Sequence, residues 1–372
     1  MKIPAELLPT DGRFGSGPSK VPLVALDALA ATGTSLMGTS HRQAPVKNLV
    51  GSVRAGIAEL LSLPDGYEVI LGVGGATAFF DAATFGLVRA KSQHLVHGEF
   101  TSKFAKSVKV APFLDAPTVI ESSSDTHPAL VAEAGVDSYV WAQNETSTGV
   151  MVPVERLAGA DNGALMIVDA TSAAGGLPID IAQTDVYFFA PQKALASDGG
   201  IWLAAFSPAA IARAEEIKAT GRFIPPFFDL VTAIDNSLKN QTYNTPPLAS
   251  LFLIDQQVRW ILDQGGLAWA TRRTEDSATR LYEWAESSTY ATPFVAKVTD
   301  RSHVVGTIDL EGVDAKAVTA VLRGNGIVDI DGYRGLDRNQ LRVAMFPAVD
   351  PDDITALTKS IDWVVAHLQP QR

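Results

Sequence analysis

Residues 185–195 have the sequence Asp-Val-Tyr-Phe-Phe-Ala-Pro-Gln-Lys-Ala-Leu, in which a lysine closely follows an aromatic, apolar run. Residues 186–189 predict a short buried strand, and Pro191 ends it because proline cannot donate to a sheet ladder. We expect Lys193 in apolar surroundings, which lower the pKa of an ammonium and make the amine a nucleophile towards carbonyls. The alternative is a lysine that follows a strand and extends its ammonium to water.

A second apolar run, residues 164–168, is followed by a carboxylate at Asp169. Pyridoxal phosphate (PLP) requires both groups, a lysine for its aldehyde and an acid beside its pyridine nitrogen. The acid keeps that nitrogen protonated, so that the ring accepts electrons from a substrate carbanion. Asp169 alone also fits a helix N-cap or a turn, so the cofactor hypothesis depends on the pair.

Composition limits the possible classes of protein. At 372 residues the chain has room for two domains, and a hydrophobic content of 47% excludes wholesale disorder. The net charge of −11 argues against nucleic-acid and anionic-membrane partners. Because the chain has no cysteine, it has no disulfide, no cysteine-based metal site and no thiol nucleophile.

The sequence also carries no signal for a membrane or a metal. Its N-terminus lacks the apolar run of a signal peptide, and its longest apolar stretch, residues 201–211, is too short to span a membrane. We therefore expect a soluble, cytoplasmic protein. The histidines form no H-x-x-x-H pair, so we expect no metal site.

Strand-like runs alternate with helical or loop segments, which is typical of an α/β fold with a mostly parallel sheet. Such sheets bind ligands at the carboxyl ends of their strands, where Asp169 and Lys193 fall. The runs lie at residues 68–71, 94–96, 138–142, 165–168, 186–189 and 201–206. Helices are predicted at 46–63, 78–87, 248–262 and 268–286, residues 214–248 are expected to be irregular, and a smaller α+β unit follows position 293.

A glycine-rich turn, residues 72–77, separates a predicted strand from a predicted helix. Its small residues and the helix N-terminus favour a phosphate site. A Rossmann dinucleotide site is the competing interpretation, but Thr77 stands where its motif requires the third glycine. The motif also requires an acidic residue at the end of a later strand. The nearest candidate, Glu99, follows Gly98 in a predicted turn and does not end a strand.

Other polar and aromatic residues follow the predicted strands. Phe100 offers a flat face for a pyridine ring, and Asn144 and Thr146 offer hydrogen bonds to a ring substituent. Arg42, Arg334 and Arg342 are candidate receptors for carboxylate or phosphate, which arginine binds with two parallel hydrogen bonds. Each of them alone also has an ordinary structural explanation, as a core, turn or surface residue.

Together and in order, these residues resemble the phosphoserine aminotransferases, a family of class V, fold-type I PLP enzymes. Asn-Thr-Pro-Pro at 244–247 and Gln-Lys at 192–193 are the most typical features, and Gly-Thr-Ser-His-Arg at 38–42 is most similar to the actinobacterial branch. The other matching segments lie at residues 14–18, 74–77, 144–146, 169 and 342.

The resemblance implies an architecture. We expect a large PLP-binding domain with a mostly parallel seven-stranded sheet at residues 17–255, and a smaller α+β C-terminal domain at 256–372. Residues 1–16 would be an N-terminal arm that joins the small domain. The family pattern also implies a homodimer whose active site lies at the subunit interface.

The resemblance also implies a reaction. A PLP-dependent, ping-pong transamination would convert 3-phosphohydroxypyruvate and L-glutamate to 3-phospho-L-serine and 2-oxoglutarate, for L-serine biosynthesis. A role in pyridoxine biosynthesis stays open. The alternatives are another class V aminotransferase, such as an alanine– or serine–glyoxylate enzyme, and, from a different class, an NAD-dependent oxidoreductase.

Residue roles follow from the same resemblance. Lys193 would bond the PLP aldehyde and carry the Cα proton, and Asp169 would pair with the pyridinium nitrogen. Phe100 would stack on the ring and Thr146 would bond its hydroxyl oxygen. The PLP phosphate would be held by Ala76, Thr77, Thr171 and Gln192, together with Asn244 and Thr245 of the partner subunit. The substrate would be bound by Arg342 at its α-carboxylate and by His41, Arg42 and Arg334 at its phosphate or side-chain carboxylate.

The chain departs from the family pattern at three positions. Thr77 stands where the family often has Arg, Tyr333 where it often has His, and Phe100 where many members have Trp. The first two changes remove potential anion contacts, so they bear on phosphate recognition more than on PLP binding.

Overall fold

The computed structural model describes residues 1–368 and contains a seven-stranded sheet in the order β1-β9-β8-β7-β4-β2-β3. Strand β9 is antiparallel to both of its neighbours, and the other strands are parallel to one another. The strands are β1 (Glu68–Val73), β2 (Ser92–Val96), β3 (Thr118–Glu121), β4 (Ser138–Ala142), β5 (Asn144–Glu145), β6 (Val150–Met151), β7 (Leu165–Asp169), β8 (Val186–Phe189), β9 (Ile201–Phe206), β10 (Ala291–Pro293), β11 (Val305–Leu310) and β12 (Gln340–Ala344). The predicted α/β class with a mostly parallel, seven-stranded sheet is confirmed.

Helices cover both faces of this sheet, which explains why its central strands are apolar throughout. In β8, Tyr187 and Phe189 pack into one buried cluster while Phe188 packs into another on the opposite face. The helices are α1 (Leu23–Ala31), α2 (Ala44–Leu60), α3 (Ala76–Gly86), α4 (Glu99–Lys109), α5 (Pro208–Ala219), α6 (Leu230–Ser237), α7 (Leu248–Gln264), α8 (Gly266–Ser287), α9 (Ala315–Arg323) and α10 (Pro351–His367).

The smaller C-terminal domain is built on the antiparallel sheet β10-β11-β12 and helices α8, α9 and α10. The N-terminal segment contacts this unit, since Ile3 and Phe14 belong to its buried cluster and Ser360 Oγ donates to the Leu7 carbonyl at 2.8 Å. The domain boundaries at residues 16 and 255 stay a prediction. Residues 369–372 of the predicted C-terminal domain lie outside the described residues.

Two predictions of local structure were wrong. Residues 214–248, expected to be irregular, contain the end of α5 and the whole of α6, whose first amides donate to the Asp229 carboxylate. With only eight residues beside prolines, α6 is too short to show helical periodicity in the sequence. Glu99, expected in a turn, is the first residue of α4.

Residues 1–368 contain neither a membrane-spanning helix nor a metal-binding cluster. Within that range no helix is long and apolar enough to cross a membrane. The same residues contain no group of three or more His, Asp or Glu side chains arranged to hold a metal ion.

Candidate active site

A cavity of about 590 Å³ opens at the carboxyl ends of the parallel strands. Its volume suits a small-molecule ligand. The predicted site residues that line it are Ala76, Thr77, Phe100, Thr146, Asp169, Thr171, Gln192, Lys193, Arg334 and Arg342. Sheet topology brings the first eight of them together, because strands β1, β2, β4, β7 and β8 all end at this edge. Arg334 and Arg342 come from the C-terminal domain, before and on β12.

Lys193 is buried at the floor of the cavity, with 5% of its surface exposed. Its ammonium donates a hydrogen bond to Thr146 Oγ1 at 2.6 Å and lies 5.0 Å from the centre of the Phe100 ring. Burial lowers the pKa of Lys193 from the ordinary 10.5 to about 8, although Asp169 and Glu145 oppose the shift. A substantial fraction of the side chain is therefore the free amine at mildly alkaline pH.

Asp169 ends β7 and is also buried. Burial raises the pKa of its carboxyl group, while Thr171 and Lys193 act in the opposite direction. Its Oδ1 accepts a hydrogen bond from the Thr171 amide at 2.8 Å, which fixes the orientation of the carboxylate. A buried carboxylate of this kind stabilises a positively charged N–H group placed beside it.

Thr146 is carried by the hairpin of β5 and β6, directly after the end of β4. Its hydroxyl donates to Ser172 Oγ at 2.8 Å, and the Asn144 amide donates to the same oxygen at 2.8 Å. Ser172 thus fixes Thr146, which is the hydrogen-bond acceptor of Lys193. This role of Ser172 was not predicted from the sequence. Its only sequence signal is its position three residues after the end of an apolar strand.

A helix N-terminus forms one wall of the cavity. Gly74 has a φ of +125°, and helix α3 begins two residues later at Ala76. A Cβ at Gly74 would lie 2.5 Å from the Ala78 Cβ, so this turn requires glycine. The first amides of α3 have no acceptor within the helix, which makes its N-terminus suited to an anion.

Cationic and aromatic side chains form the opposite rim. Arg342, on β12, donates to the Thr146 carbonyl at 3.3 Å and lies 5.1 Å from the centre of the Tyr333 ring. Burial lowers the pKa of Arg342. Its Nε is buried and finds no partner within residues 1–368, whereas Arg334 is exposed at the cavity mouth. The rim can therefore receive a carboxylate.

Four predicted site residues do not line this cavity. Thr245 Oγ1 lies 3.2 Å from His41 Nδ1, and Arg42 donates to Asn236 Oδ1 at 3.3 Å and to Gln241 Oε1. Asn244 belongs to the same region and lines a small separate cleft. These residues therefore form a second cluster of the same chain, which we call the 41/245 cluster after His41 and Thr245.

The residues of the cavity fit PLP. The Thr171 hydroxyl is shielded from solvent yet has no hydrogen-bond partner in the part of the chain that the structure describes. Buried polar atoms of this kind require a partner, and a bound ligand would supply one. Lys193, Asp169 and the Phe100 ring border the same space, which matches an aldehyde, a pyridine nitrogen and a ring face.

Comparison with known proteins agrees with this site. Residues 14–337 match the family described as aminotransferase class-V. A phosphoserine aminotransferase of Nocardioides sp. (strain ATCC BAA-499 / JS614) is 62% identical over 99% of both chains, and one of Rhodococcus jostii (strain RHA1) is 58% identical over 98% of both.

Solved structures agree in fold at low sequence identity. A phosphoserine aminotransferase from Cytophaga hutchinsonii superposes with a TM-score of 0.87 at 22% identity, covering 95% of this chain and 99% of that one. The enzyme from Bacillus circulans subsp. alkalophilus gives 0.83 at 24% identity, covering 95% and 98%. These two structures have the same fold as this chain.

Proposed function

The chain belongs to the class-V aminotransferase family, and on that premise we propose that it catalyses the phosphoserine aminotransferase reaction. It transfers the amino group of L-glutamate to 3-phosphohydroxypyruvate, and it releases 3-phospho-L-serine and 2-oxoglutarate. Relatives of that name match the chain along nearly its whole length at 58–62% identity. The observation that carries the proposal is the convergence of Lys193, Asp169, Thr146 and Arg342 on one cavity.

PLP is the cofactor, and the cavity residues divide between its two ends. When bound, PLP supplies an aldehyde that reacts with amines and a ring that accepts electrons. Asp169 would hold the charged pyridine N–H, Phe100 would cover one ring face, and Thr146 would bond the ring hydroxyl. The phosphate would be held by Ala76 and Thr77 at the start of α3, with Thr171 and Gln192.

Lys193 acts as the general base. Its pKa of about 8 leaves part of the side chain as the free amine near neutral pH, so its Nζ can accept and return a proton. The hydrogen bond to Thr146 Oγ1 holds Nζ on the side of the cavity that faces Phe100. The same nitrogen thus serves as the attachment point for the cofactor and as the proton carrier at the substrate Cα.

The arginines of the rim select the substrate. Arg342 lines the cavity, and its Nε has no partner within the part of the chain that the structure describes. Its guanidinium would bind the α-carboxylate common to both amino acids. Arg334, exposed at the mouth, would contact the phosphate of one substrate and the side-chain carboxylate of the other.

The active site is completed by a second subunit, which makes the functional form a homodimer. His41, Arg42, Asn244 and Thr245 lie in the 41/245 cluster, outside the cavity of their own chain. Beside them, Phe227 and Tyr243 are each 46% exposed and line one cleft with Asn244. An exposed apolar surface next to polar site residues supports an interface at this place. The proposal includes a cytoplasmic location.

The test is a substrate panel with glutamate as the amino donor. We expect turnover of 3-phosphohydroxypyruvate to exceed that of pyruvate and glyoxylate, with parallel lines in double-reciprocal plots because the enzyme carries the amino group between two half-reactions. Lys193→Ala is the control for non-enzymatic transfer. Faster turnover of glyoxylate or pyruvate would instead identify another class V aminotransferase. The loss of potential anion contacts at Thr77 and Tyr333 is the reason to include these two substrates in the panel.

A further inference from the structure

Glu145 is a fully buried carboxylate next to the candidate active site, and none of the roles described above uses it. It follows β4 and lies one residue before Thr146. Its Oε2 accepts hydrogen bonds from the amides of Phe100 at 3.1 Å and Thr101 at 2.9 Å, and the Thr101 hydroxyl lies 3.1 Å away. Its Oε1 accepts from the amide and hydroxyl of Ser147 at 3.1 and 2.7 Å.

These bonds cap helix α4 from a distant part of the chain. The helix starts after Gly98, which has no side chain to accept from its first amides. Ser147 Oγ accepts from the Glu99 amide at 3.1 Å, and Glu145 accepts from the next two amides. An anion at this position also interacts favourably with the positive end of the helix.

Gly98 packs directly against this carboxylate. A Cβ at Gly98 would lie 2.4 Å from Glu145 Cγ and 2.7 Å from Ser147 Oγ, closer than real Cβ atoms approach. Its backbone is extended, with a φ of −177°, so the need for glycine is steric. The space beside Gly98 is therefore filled by Glu145, and its carboxylate has little freedom to move.

The two segments that Glu145 joins carry the two groups next to Lys193. Helix α4 carries Phe100, whose ring centre lies 5.0 Å from Lys193 Nζ, and the hairpin carries Thr146, which accepts the lysine hydrogen bond. We propose that Glu145 is a positioning residue, whose carboxylate ties the ring-covering Phe100 to the lysine-binding Thr146 and supplies negative charge to the PLP site. This inference rests on the proposed function, since it assigns Glu145 to the PLP site.

The charged and titratable groups that influence Glu145 come from several elements. Lys193 and Arg342 are the cations, Asp169 is a second carboxylate, and His97 and Tyr333 complete the set. Burial lowers the pKa of His97 to about 4, so its imidazole is neutral at pH 7. The positive charges that balance Glu145 are consequently those of Lys193, Arg342 and the N-terminus of α4.

The experiment compares Glu145→Gln with Glu145→Asp in two measurements on the apoenzyme. The first is the Kd for PLP, from the visible absorption of the lysine-bound cofactor. The second is the pH midpoint of Lys193 acetylation by trace acetic anhydride, followed by mass spectrometry. We expect Glu145→Gln to weaken PLP binding by about tenfold, the effect of losing a hydrogen bond to a charged group, and to move the midpoint to lower pH.

Glu145→Asp distinguishes the effect of the carboxylate position from the effect of its negative charge. It keeps the negative charge but withdraws the carboxylate from the α4 amides, so PLP binding should weaken while the Lys193 midpoint stays near that of the wild type. The matched control is Asp137→Asn, at the opposite end of β4. The Asp137 carboxylate also accepts from three backbone amides, those of residues 89–91, but does not line the cavity. This variant should leave both measurements unchanged.

Unchanged PLP affinity and an unchanged Lys193 midpoint in folded Glu145→Gln would overturn the inference. If that variant does not fold, Ser147→Ala is used instead, which removes the hydroxyl bond to Oε1 and the bond from the Glu99 amide. It should weaken PLP binding by about threefold, and no change would overturn the inference equally. Both measurements are independent of the amino-acid substrate. Failure of the proposed function would appear as a wild type that binds no PLP or prefers other substrates.

Discussion

Lys193 Nζ and Thr146 Oγ1 lie 2.6 Å apart in a buried hydrogen bond that links the loop after β8 to the hairpin after β4. The Thr146 hydroxyl donates its own proton to Ser172, so its oxygen is free to accept from the lysine. Lys193 thus donates to a neutral acceptor, while Asp169 and Glu145 act on it through their charge. This arrangement allows a lowered pKa and a fixed position for the same nitrogen.

Removal of the lysine amine should abolish cofactor attachment. We expect Lys193→Ala to lose the visible absorption of lysine-bound PLP and to lower turnover by about 10³-fold or more, since both the nucleophile and the general base are gone. The control is Lys103→Ala, because Lys103 lines the same cavity and its ammonium lies 5.3 Å from the centre of the same Phe100 ring. Lys103→Ala should keep the visible absorption of lysine-bound PLP. The same absorption in Lys193→Ala would contradict the assignment of Lys193 as the residue that binds PLP.

The buried lysine should make apoenzyme stability depend on pH. Its pKa is about 8 in the folded chain and 10.5 ordinarily, so between these values the unfolded chain binds more protons and stability rises with pH. Lys193→Met removes this penalty, and we expect its unfolding free energy to exceed that of the wild type by about 3 kcal/mol below pH 8. The difference should vanish towards pH 10.5.

Urea denaturation of the two apo forms at several pH values checks this expectation. Lys103→Met is the matched control, because the Lys103 side chain is 43% exposed and pairs with Glu99 at 3.1 Å. It should show the pH dependence of the wild type. A gap between Lys193→Met and wild type that stays constant from pH 7 to about pH 10 would show that the Lys193 pKa is not lowered.

Arg42 should act across the subunit interface. Loss of its charged hydrogen bonds in Arg42→Ala should lower kcat/KM for 3-phosphohydroxypyruvate by about 10–100-fold, with a much smaller effect on pyruvate. A heterodimer of one Lys193→Ala chain and one Arg42→Ala chain can be purified with two different tags. One of its two sites would contain the intact Lys193 of the Arg42→Ala chain and the intact Arg42 of the Lys193→Ala chain. Activity should return to about half that of the wild type.

If Arg42 served its own subunit, that heterodimer would have no intact site. Its activity would then stay at or below half of the Arg42→Ala homodimer value. Lys193→Ala paired with wild-type chains is the control for the tags and the assembly, because it contains one intact site in either case.

Asp169 should affect turnover more than cofactor binding. Asp169→Asn keeps the shape of the side chain but removes the charge that stabilises a protonated pyridine nitrogen, so we expect turnover to fall by about 100-fold or more with PLP still bound. The control is Asp185→Asn. Asp185 is a buried carboxylate that accepts from the Met166 amide at 2.9 Å and does not line the cavity. Equal loss of turnover in both variants would argue against an electronic role.

Several site residues could be predicted because strand direction decides where they meet. Apolar runs marked β4, β7 and β8, and the carboxyl ends of parallel strands lie at one edge of a sheet. Asp169 and Lys193 were therefore expected together, and they line one cavity. The residues of the 41/245 cluster lie between helices and do not follow a strand of this sheet, so strand direction gives no information about where they meet.

The α/β class, the alternation of strands and helices, and the chemistry available at each strand end all follow from the amino-acid sequence. These depend on residue periodicity and on side-chain type, which are local properties. The antiparallel direction of β9, the short helix α6 and the contacts of Glu145 were decided only by tertiary structure. Glu145 meets the α4 amides because packing brings β5 beside that helix, and a hydrogen bond between segments so far apart leaves no periodic trace in the chain.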